Sequence, residues 1–427
     1  MTPHPTRYLV VVPVPFWPLP EGKAAIESAF AEHLVQLLAS LRPCVEAIEV
    51  VAPVMDAASY DRSRNTLRVF DPSADHITCV AAYPANAGTL GHLLGLPGLA
   101  VRLWRAVGRA AFVHAGPSHL WRPFENLALL IGWLRRRTTV YITDIDHRES
   151  ARMNLATGAW SRGAFWRSRL VYQPWLSLQH HLARLCCSVL FLKGQGLVRD
   201  YGRGQPHVHY LLDCAHGADL VIDAAQLEAR CARMLQPGAP LRACYFGRLV
   251  PYKGIDRMLA AVAEARARGA EVSFDVFGNG EAEAPLRRLA ADLGIAEHVH
   301  FHGALPYGKP LFAALDRCDL LLAAPLREDT PRSAVDAQAL GMGVLAFDTY
   351  YYRELAAQGA GVQVVPWPDT AALTEALQTL AADRAALAGM ARAGVAFARA
   401  NTQEQWLRRR AASTPGIDPP LSAGRAS

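Results

Sequence analysis

The sequence has no uninterrupted apolar run long enough to cross a bilayer. Its longest uncharged stretch, His76 to Val101, is broken by Pro84, Asn86, Gly88, Gly91, Gly95, Pro97 and Gly98, so it is not read as a spanning helix. The eight cysteines (44, 79, 186, 187, 214, 231, 244 and 318) show neither CxxC nor Cys/His ligand spacing. That excludes a disulfide scaffold and a zinc site as first readings and favours a reducing, cytoplasmic setting. The amino end lacks the pattern of a signal peptide: the apolar run from Tyr8 to Pro15 is too short and too rich in proline, and reads as a first buried strand. Lysine is nearly missing, present only at 23, 193, 253 and 309, so 40 of the 44 basic residues are arginine. A lysine inside a motif is therefore the more informative. Acidic residues are scarce in one place: residues 101–200 hold 5 Asp and Glu against 15 Lys and Arg, although the whole chain is only +6. Any account of function has to explain that local surplus.

What is present is core material. The 427 residues, 51% hydrophobic and 19% charged, suit two or three globular domains and exclude a disordered or fibrous chain. From about 241 onward, short apolar runs alternate with helical periods. Strands are expected at 243–246, 272–277, 298–302, 319–323 and 343–347, with helices at 255–268, 282–293, 311–317, 333–340 and 370–381. Such alternation predicts a parallel, doubly wound sheet with ligands at the carboxyl ends of its strands. The first half is of the same kind, with strands expected at 8–14, 47–54, 78–82, 111–114, 138–143 and 188–192 and helices at 24–40, 99–110 and 124–134.

Three elements of the second half carry chemistry. The segment Gly247 to Asp256 (GRLVPYKGID) brings Arg248, Lys253 and the N–H groups of a helix start to one loop, an arrangement suited to a diphosphate. A Gly278-x-Gly280 turn follows the next strand. Then comes Pro325 to Gly341, in which the carboxylate of Glu328 in a loop is followed eight positions later by Asp336 on a helix. No convincing Asp-x-Asp metal pair accompanies them; Asp144 and Asp146 are the one such match.

Over roughly residues 241–380 this ordered set resembles glycosyltransferase family 4, the retaining GT-B-fold enzymes that use nucleotide-sugar donors. The resemblance implies an α/β fold of two Rossmann-like, doubly wound domains facing across a cleft. It implies an acceptor domain over 1–215, a linker region at 216–240 and a donor domain over 241–400, with a carboxy-terminal helix at 401–412 and a disordered tail at 413–427. By position, Arg248 and Lys253 would bind the donor diphosphate and offset the charge of the leaving nucleotide. Glu328 would contact the donor hexose and Asp336 the ribose, with Thr330 and Arg332 beside them, while Gly278 and Gly280 would let the backbone approach the nucleotide. No metal and no further cofactor is expected. Two positions depart from the family pattern: Asp336 is one methylene shorter than the usual Glu, and Pro331 removes a backbone N–H from the sugar loop.

The resemblance also implies a histidine that contacts the donor sugar. His147, in the segment Tyr141 to Ser150 with Asp146 beside it, is the choice, and His114 and His119 are its rivals. After the first strand, where the family often has a glycine-rich loop, Phe16 to Lys23 offers only Gly22. In the basic segment, Arg102, Arg105 and Arg109 form a stripe on an amphipathic helix, which suits an anionic membrane surface along residues 99–137. The apolar segment Phe124–Leu134 reads rather as core. Nucleic acid is not indicated. The expected activity is transfer of a hexose to a glycan or lipid-linked acceptor in bacterial envelope or exopolysaccharide synthesis, in the cytoplasm or at the cytoplasmic face of the inner membrane. Its rivals are a nucleotide-sugar epimerase on the same fold and a non-catalytic protein that binds a partner or membrane.

Overall fold

The computed structural model describes residues 6–64, 67–143 and 147–417. They fall into two compact units, the first comprising 6–64, 67–143, 169–211 and 407–417 and the second 147–168 and 212–406.

The first unit is built on one sheet of β1 (Arg7–Val11), β2 (Phe16–Pro18), β3 (Ala24–Glu27), β4 (Ala47–Val54), β5 (Leu67–Phe70), β6 (Ile77–Pro84), β7 (Ala110–Ala115), β8 (Thr138–Thr143), β9 (Val189–Lys193) and β10 (Val208–Leu211). The order is β10-β9-β8-β7-β1-β4-β2-β3-β5, with β6 also paired to β4. The pairs β1–β4, β1–β7, β7–β8, β8–β9, β9–β10 and β4–β6 are parallel. The unbroken apolar run of β1 follows from burial on both faces. Leu9 and Val11 join the core beneath the helices Thr89–Arg109 and Phe124–Leu134, whereas Tyr8 and Val10 join the core that contains Leu34, Leu38 and Leu41 of the helix Ser28–Leu41.

The second unit has an all-parallel sheet of β11 (Leu241–Phe246), β12 (Val272–Phe277), β13 (Val299–Gly303), β14 (Leu320–Ala323), β15 (Gly343–Phe347) and β16 (Val362–Val365), ordered β13-β12-β11-β14-β15-β16. The chain steps outward from β11 to β13, then returns to β14 on the other side of β11. That reversal is the topological switch point, where a doubly wound sheet opens a crevice at its carboxyl edge.

Several expectations need correction. The helix expected at 24–40 starts only at Ser28, because Ala24–Glu27 pair antiparallel with β5 and, in part, β2; strand pairing overrides the helix preference of alanine. The helix expected at 99–110 begins ten residues earlier, at Thr89, and runs through Pro97, held by the buried His92, Leu99 and Leu103. In the 216–240 region, where the sequence suggests a helix over Asp219–Leu235 before a Pro237–Pro240 hinge, the helix spans Ala224–Met234; it is opened by a capping box of Asp223 and Gln226, and its Cys231 and Met234 enter the second unit's core. Residues 147–168, expected in the first domain, group with the second unit. The helix at the carboxyl end spans Gln403–Ser413, and from Leu407 the chain belongs to the first unit. The expected disordered tail from 413 instead buries Thr414 and Ile417, while 418–427 lie outside the described residues.

The loops that leave β11 and β14 close on one another at Gly254, which opens the helix Ile255–Ala267 at φ +67°. A Cβ there would lie 1.9 Å from the Ala324 carbonyl oxygen. Gly254→Ala should therefore lower stability by well over about 1 kcal/mol in urea unfolding. Gly269→Ala, where φ is +88° but nothing lies within 4 Å of a Cβ, should lose only the smaller conformational share.

Candidate functional site

The switch point brings the three sequence elements together within the second unit. The loop after β11 is stitched to the loop after β12 by backbone bonds, Gly247 N–H to Phe277 O at 3.0 Å and Leu249 N–H to Asn279 O at 2.9 Å. The loop after β14 joins them through Leu326 N–H to Tyr252 O at 2.8 Å. Gly278 and Gly280 are needed for this closure itself. A Cβ on Gly278 would meet the Gly247 carbonyl oxygen at 1.9 Å, and one on Gly280 the Leu249 carbonyl oxygen at 2.2 Å. Both glycines are thus fixed by protein backbone, whatever approaches from outside.

This frame presents three cations around one aromatic ring. Arg248 donates from Nη2 to the Tyr252 hydroxyl at 2.9 Å, and Lys253 Nζ lies 5.6 Å from the centroid of the same ring. The Arg327 guanidinium stacks at 3.7 Å from it. The Tyr245 hydroxyl donates to the Arg248 carbonyl oxygen at 2.9 Å, holding the loop from below. Lys253 is mostly buried and ion-paired with Asp329, which is mostly buried too. Burial, with the Asp329 carboxylate next in weight, pushes both the Tyr245 and the Tyr352 hydroxyls up from their ordinary value. Lys253, Asp329, Pro331, Ser333, Tyr245 and Tyr352 share the lining of one small pocket. Arg327 and Asp329 were not singled out from the sequence. Their signal was their place on either side of Glu328, but flanking charges in a loop ordinarily read as solvated.

The two predicted acids are buried rather than loose. Glu328 accepts a hydrogen bond at Oε1 from Tyr350 N–H at 2.9 Å, closing the amino end of the helix Tyr350–Ala357, whose N-cap residue Thr349 makes no side-chain cap. Asp336, on the helix Ser333–Ala339, accepts at Oδ1 from the Tyr307 hydroxyl at 3.0 Å, and His216 Nδ1 lies 3.6 Å from the same oxygen. Burial, then the Asp336 charge, raises the Tyr307 hydroxyl well above its usual range. Thr330 N–H donates to Asp329 Oδ1 at 3.0 Å, Pro331 O accepts from the Tyr351 hydroxyl at 3.0 Å, and Arg332 stands just before the Asp336 helix. Among the described residues no three His, Cys, Asp or Glu side chains gather as metal ligands would.

The histidine expectation divides. His147 is exposed in the first turn of the helix His147–Ala156 and groups with the second unit; Asp144 and Asp146 lie outside the described residues. His114 is buried in the first unit with its Nδ1 3.3 Å from Arg410 Nη2, and burial followed by that guanidinium holds it well below the ordinary imidazole value. His119 accepts at Nδ1 from Trp121 N–H at 3.3 Å in the loop after β7.

That loop is pinned by a buried network. Ser118 Oγ donates to Glu125 Oε2 at 2.8 Å, Ser118 N–H donates to Gln179 Oε1 at 2.7 Å, and Asn126 Nδ2 donates to the same oxygen at 2.7 Å. Burial pushes the Glu125 carboxyl up to about 7, against a pull downward from its bond with Ser118. Between its ordinary 4.5 and about 7 the folded chain holds a proton that the unfolded chain releases. Stability should therefore fall as pH rises through that window and level off above it, by about 3 kcal/mol in all. Glu125→Gln should abolish that slope in denaturant unfolding measured at stepped pH.

Residues 234–395 match the family model described as glycosyl transferases group 1. The chain is 33% identical over 172 residues to the GDP-mannose-dependent alpha-(1-6)-phosphatidylinositol monomannoside mannosyltransferase of Mycolicibacterium smegmatis, covering 38% of this chain and 44% of that protein. It is 34% identical over 180 residues to the D-inositol 3-phosphate glycosyltransferase of Nocardia farcinica, covering 40% and 39%. The match thus spans less than half the length of either relative. Among solved structures, Anabaena HepE in complex with UDP aligns over 96% of this chain and 99% of its own with a TM-score of 0.64 at 16% identity. WaaG, a glycosyltransferase involved in lipopolysaccharide biosynthesis, aligns over 96% and 100% with a TM-score of 0.62 at 13% identity. The fold is accordingly GT-B, and the second unit carries a group 1 glycosyltransferase domain.

Proposed function

We propose, from the group 1 glycosyltransferase domain carried by the second unit, that the protein moves a hexose from a nucleotide sugar to a glycan or lipid-linked acceptor in bacterial envelope or exopolysaccharide synthesis. The observation that carries this reading is the trio of Arg248, Lys253 and Arg327 about Tyr252 at the sheet's switch point. Fixed cations there offset the charge that grows on a departing nucleoside diphosphate, and because they are held in place beforehand they need little reorganisation as the bond breaks. No metal and no additional cofactor is assigned to the step, since Lys and Arg supply the positive charge.

The transfer retains anomeric configuration without an enzyme nucleophile: the acceptor hydroxyl enters on the face that the nucleotide leaves. Glu328 is assigned to the donor hexose, with His147 as the sugar-side histidine and Thr330 and Arg332 on the same loop. Asp336 is assigned to the ribose hydroxyls, its carboxylate steadied by Tyr307. In the resting protein Lys253 is paired with Asp329, so donor binding on this reading exchanges one anionic partner for another. The first unit is assigned the acceptor, and the reaction the cytoplasmic side of the inner membrane. The GDP-mannose dependence of one relative and the UDP bound in one structural neighbour set the first donors to try.

In a thermal-shift panel that includes GDP-mannose and UDP-glucose, the matching donor at about 100 times its Kd should add about 2.7 kcal/mol. That is a rise of several degrees. Lys253→Ala should remove the shift and lower turnover by about 100-fold or more. Unchanged turnover in that variant would sink the assignment, and an inverted anomer seen by NMR of the product would overturn retention.

A further inference from the structure

The first unit leaves uncovered a face that a surface helix ordinarily makes polar. The helix Thr89–Arg109 buries His92, Leu99, Leu103, Ala106 and Val107 against the sheet. On the side opposite, at helical spacing, lie Leu90, Leu94, Val101 and Trp104, with Leu94 75% exposed. The neighbouring helix Phe124–Leu134, expected to be core all round, exposes Leu130, Trp133 and Leu134. A third helix on the same core, Gln173–Cys186, exposes Leu178, Leu182 and Leu185, again one helical stripe. One layer thus turns three rows of large apolar side chains outward. So broad a patch marks an interaction surface.

The charges around it have one sign. The three helices contain one acidic residue among them, Glu125, and it is buried beneath the layer in the Ser118 network. The arginine stripe read from the sequence is only partly available. Arg109 is ion-paired with the buried Glu49 at 2.7 Å, and Arg102 donates to the Ala82 carbonyl oxygen at 2.7 Å. Arg135 stacks over Trp104 at 4.6 Å and donates to its carbonyl oxygen, and Arg137 donates to the Gly108 carbonyl oxygen at 2.9 Å. Arg105 and Arg136 are exposed and have no ion pair among the described residues.

We propose that the outer face of this three-helix layer seats on an anionic lipid bilayer. Its Leu and Trp side chains enter the headgroup boundary, and Arg105 and Arg136 meet the lipid phosphates. Tryptophan suits that depth, with an apolar ring and one polar N–H. A second copy of the chain fits worse, because two such faces would set arginine against arginine with no exposed acid on these helices to pair it. This surface stands apart from the transferase reading, since lipid binding is measured with no donor present.

The test is co-sedimentation of the full chain with vesicles of phosphatidylcholine alone and of phosphatidylcholine with phosphatidylglycerol. The chain should partition onto the anionic vesicles and be released by salt. At about 1 kcal/mol, or about five-fold, for each cation near the surface, Arg105→Glu with Arg136→Glu should weaken partitioning by at least about 25-fold. Leu90→Ser with Leu94→Ser should also weaken it, at nearly unchanged thermal unfolding, because both side chains are already largely exposed. An intact chain that stays in the supernatant with both vesicles overturns the proposal. So does binding that ignores the charge reversals, or a lipid-free dimer in sedimentation velocity that the Leu90 and Leu94 substitutions dissolve.

Discussion

The second unit depends on backbone packed against backbone at the carboxyl edge of its sheet. Three glycines, 254, 278 and 280, leave no room for a Cβ because a neighbouring carbonyl oxygen already occupies it. The outcome is a closed set of loops whose geometry is set by main-chain hydrogen bonds rather than by flexible side chains. Arg248 and Lys253 project from that frame. Two long cationic side chains that would roam on an open loop are held to one aromatic ring, so much of their conformational freedom is already given up in the folded chain.

Within this frame charges are arranged in opposition. Lys253 rests against Asp329, Glu328 closes a helix end, and Asp336 takes a tyrosine hydroxyl. None of these carboxylates waits in open water, so each can hold one orientation. An acid that already serves the fold is pre-organised for a ligand, and its removal would disturb both. Substitutions of Glu328 therefore report on structure as much as on chemistry, whereas Arg248, exposed on its loop, reports more directly on whatever the loop binds.

Much of the second unit was legible in the sequence because its sheet is entirely parallel. The inner strands β11, β12, β14 and β15 are largely buried and read as apolar runs, whereas the edge strand Val362–Val365 and the short helix Tyr350–Ala357 before it went unread because they are half-exposed and too short to carry much apolar pattern. The first unit was harder for stated physical reasons. Short strands such as Phe16–Pro18 and Ala24–Glu27 exist only because of their partners, and alanines in the second gave a helical reading. Glycines and Pro97 hid the first turns of the helix Thr89–Arg109, whose register is fixed by what it packs on. At the site, Arg248, Lys253, Glu328 and Asp336 stood out through spacing. Arg327, Asp329 and Tyr307 did not, since their contacts span from tens of residues down to a ring stack that no local pattern encodes. The glycines were found for one reason and are required for another: they make room for the protein's own backbone. The basic stripe was seen, but which of its arginines face outward depended on partners such as Glu49, sixty residues from Arg109.

The first unit closes its core with the last described residues of the chain. Leu407, Ala411 and Ile417 pack with Tyr8 and Val10, and Arg410 reaches the Tyr8 hydroxyl at 3.5 Å. The first unit is therefore assembled from segments that lie on either side of the whole second unit in sequence. Its strands cannot finish their core from neighbouring sequence alone, because one face of the sheet is closed by a helix about four hundred residues from β1. Loss of residues 407–417 would uncover Tyr8 and Val10 while leaving the second unit's own core whole.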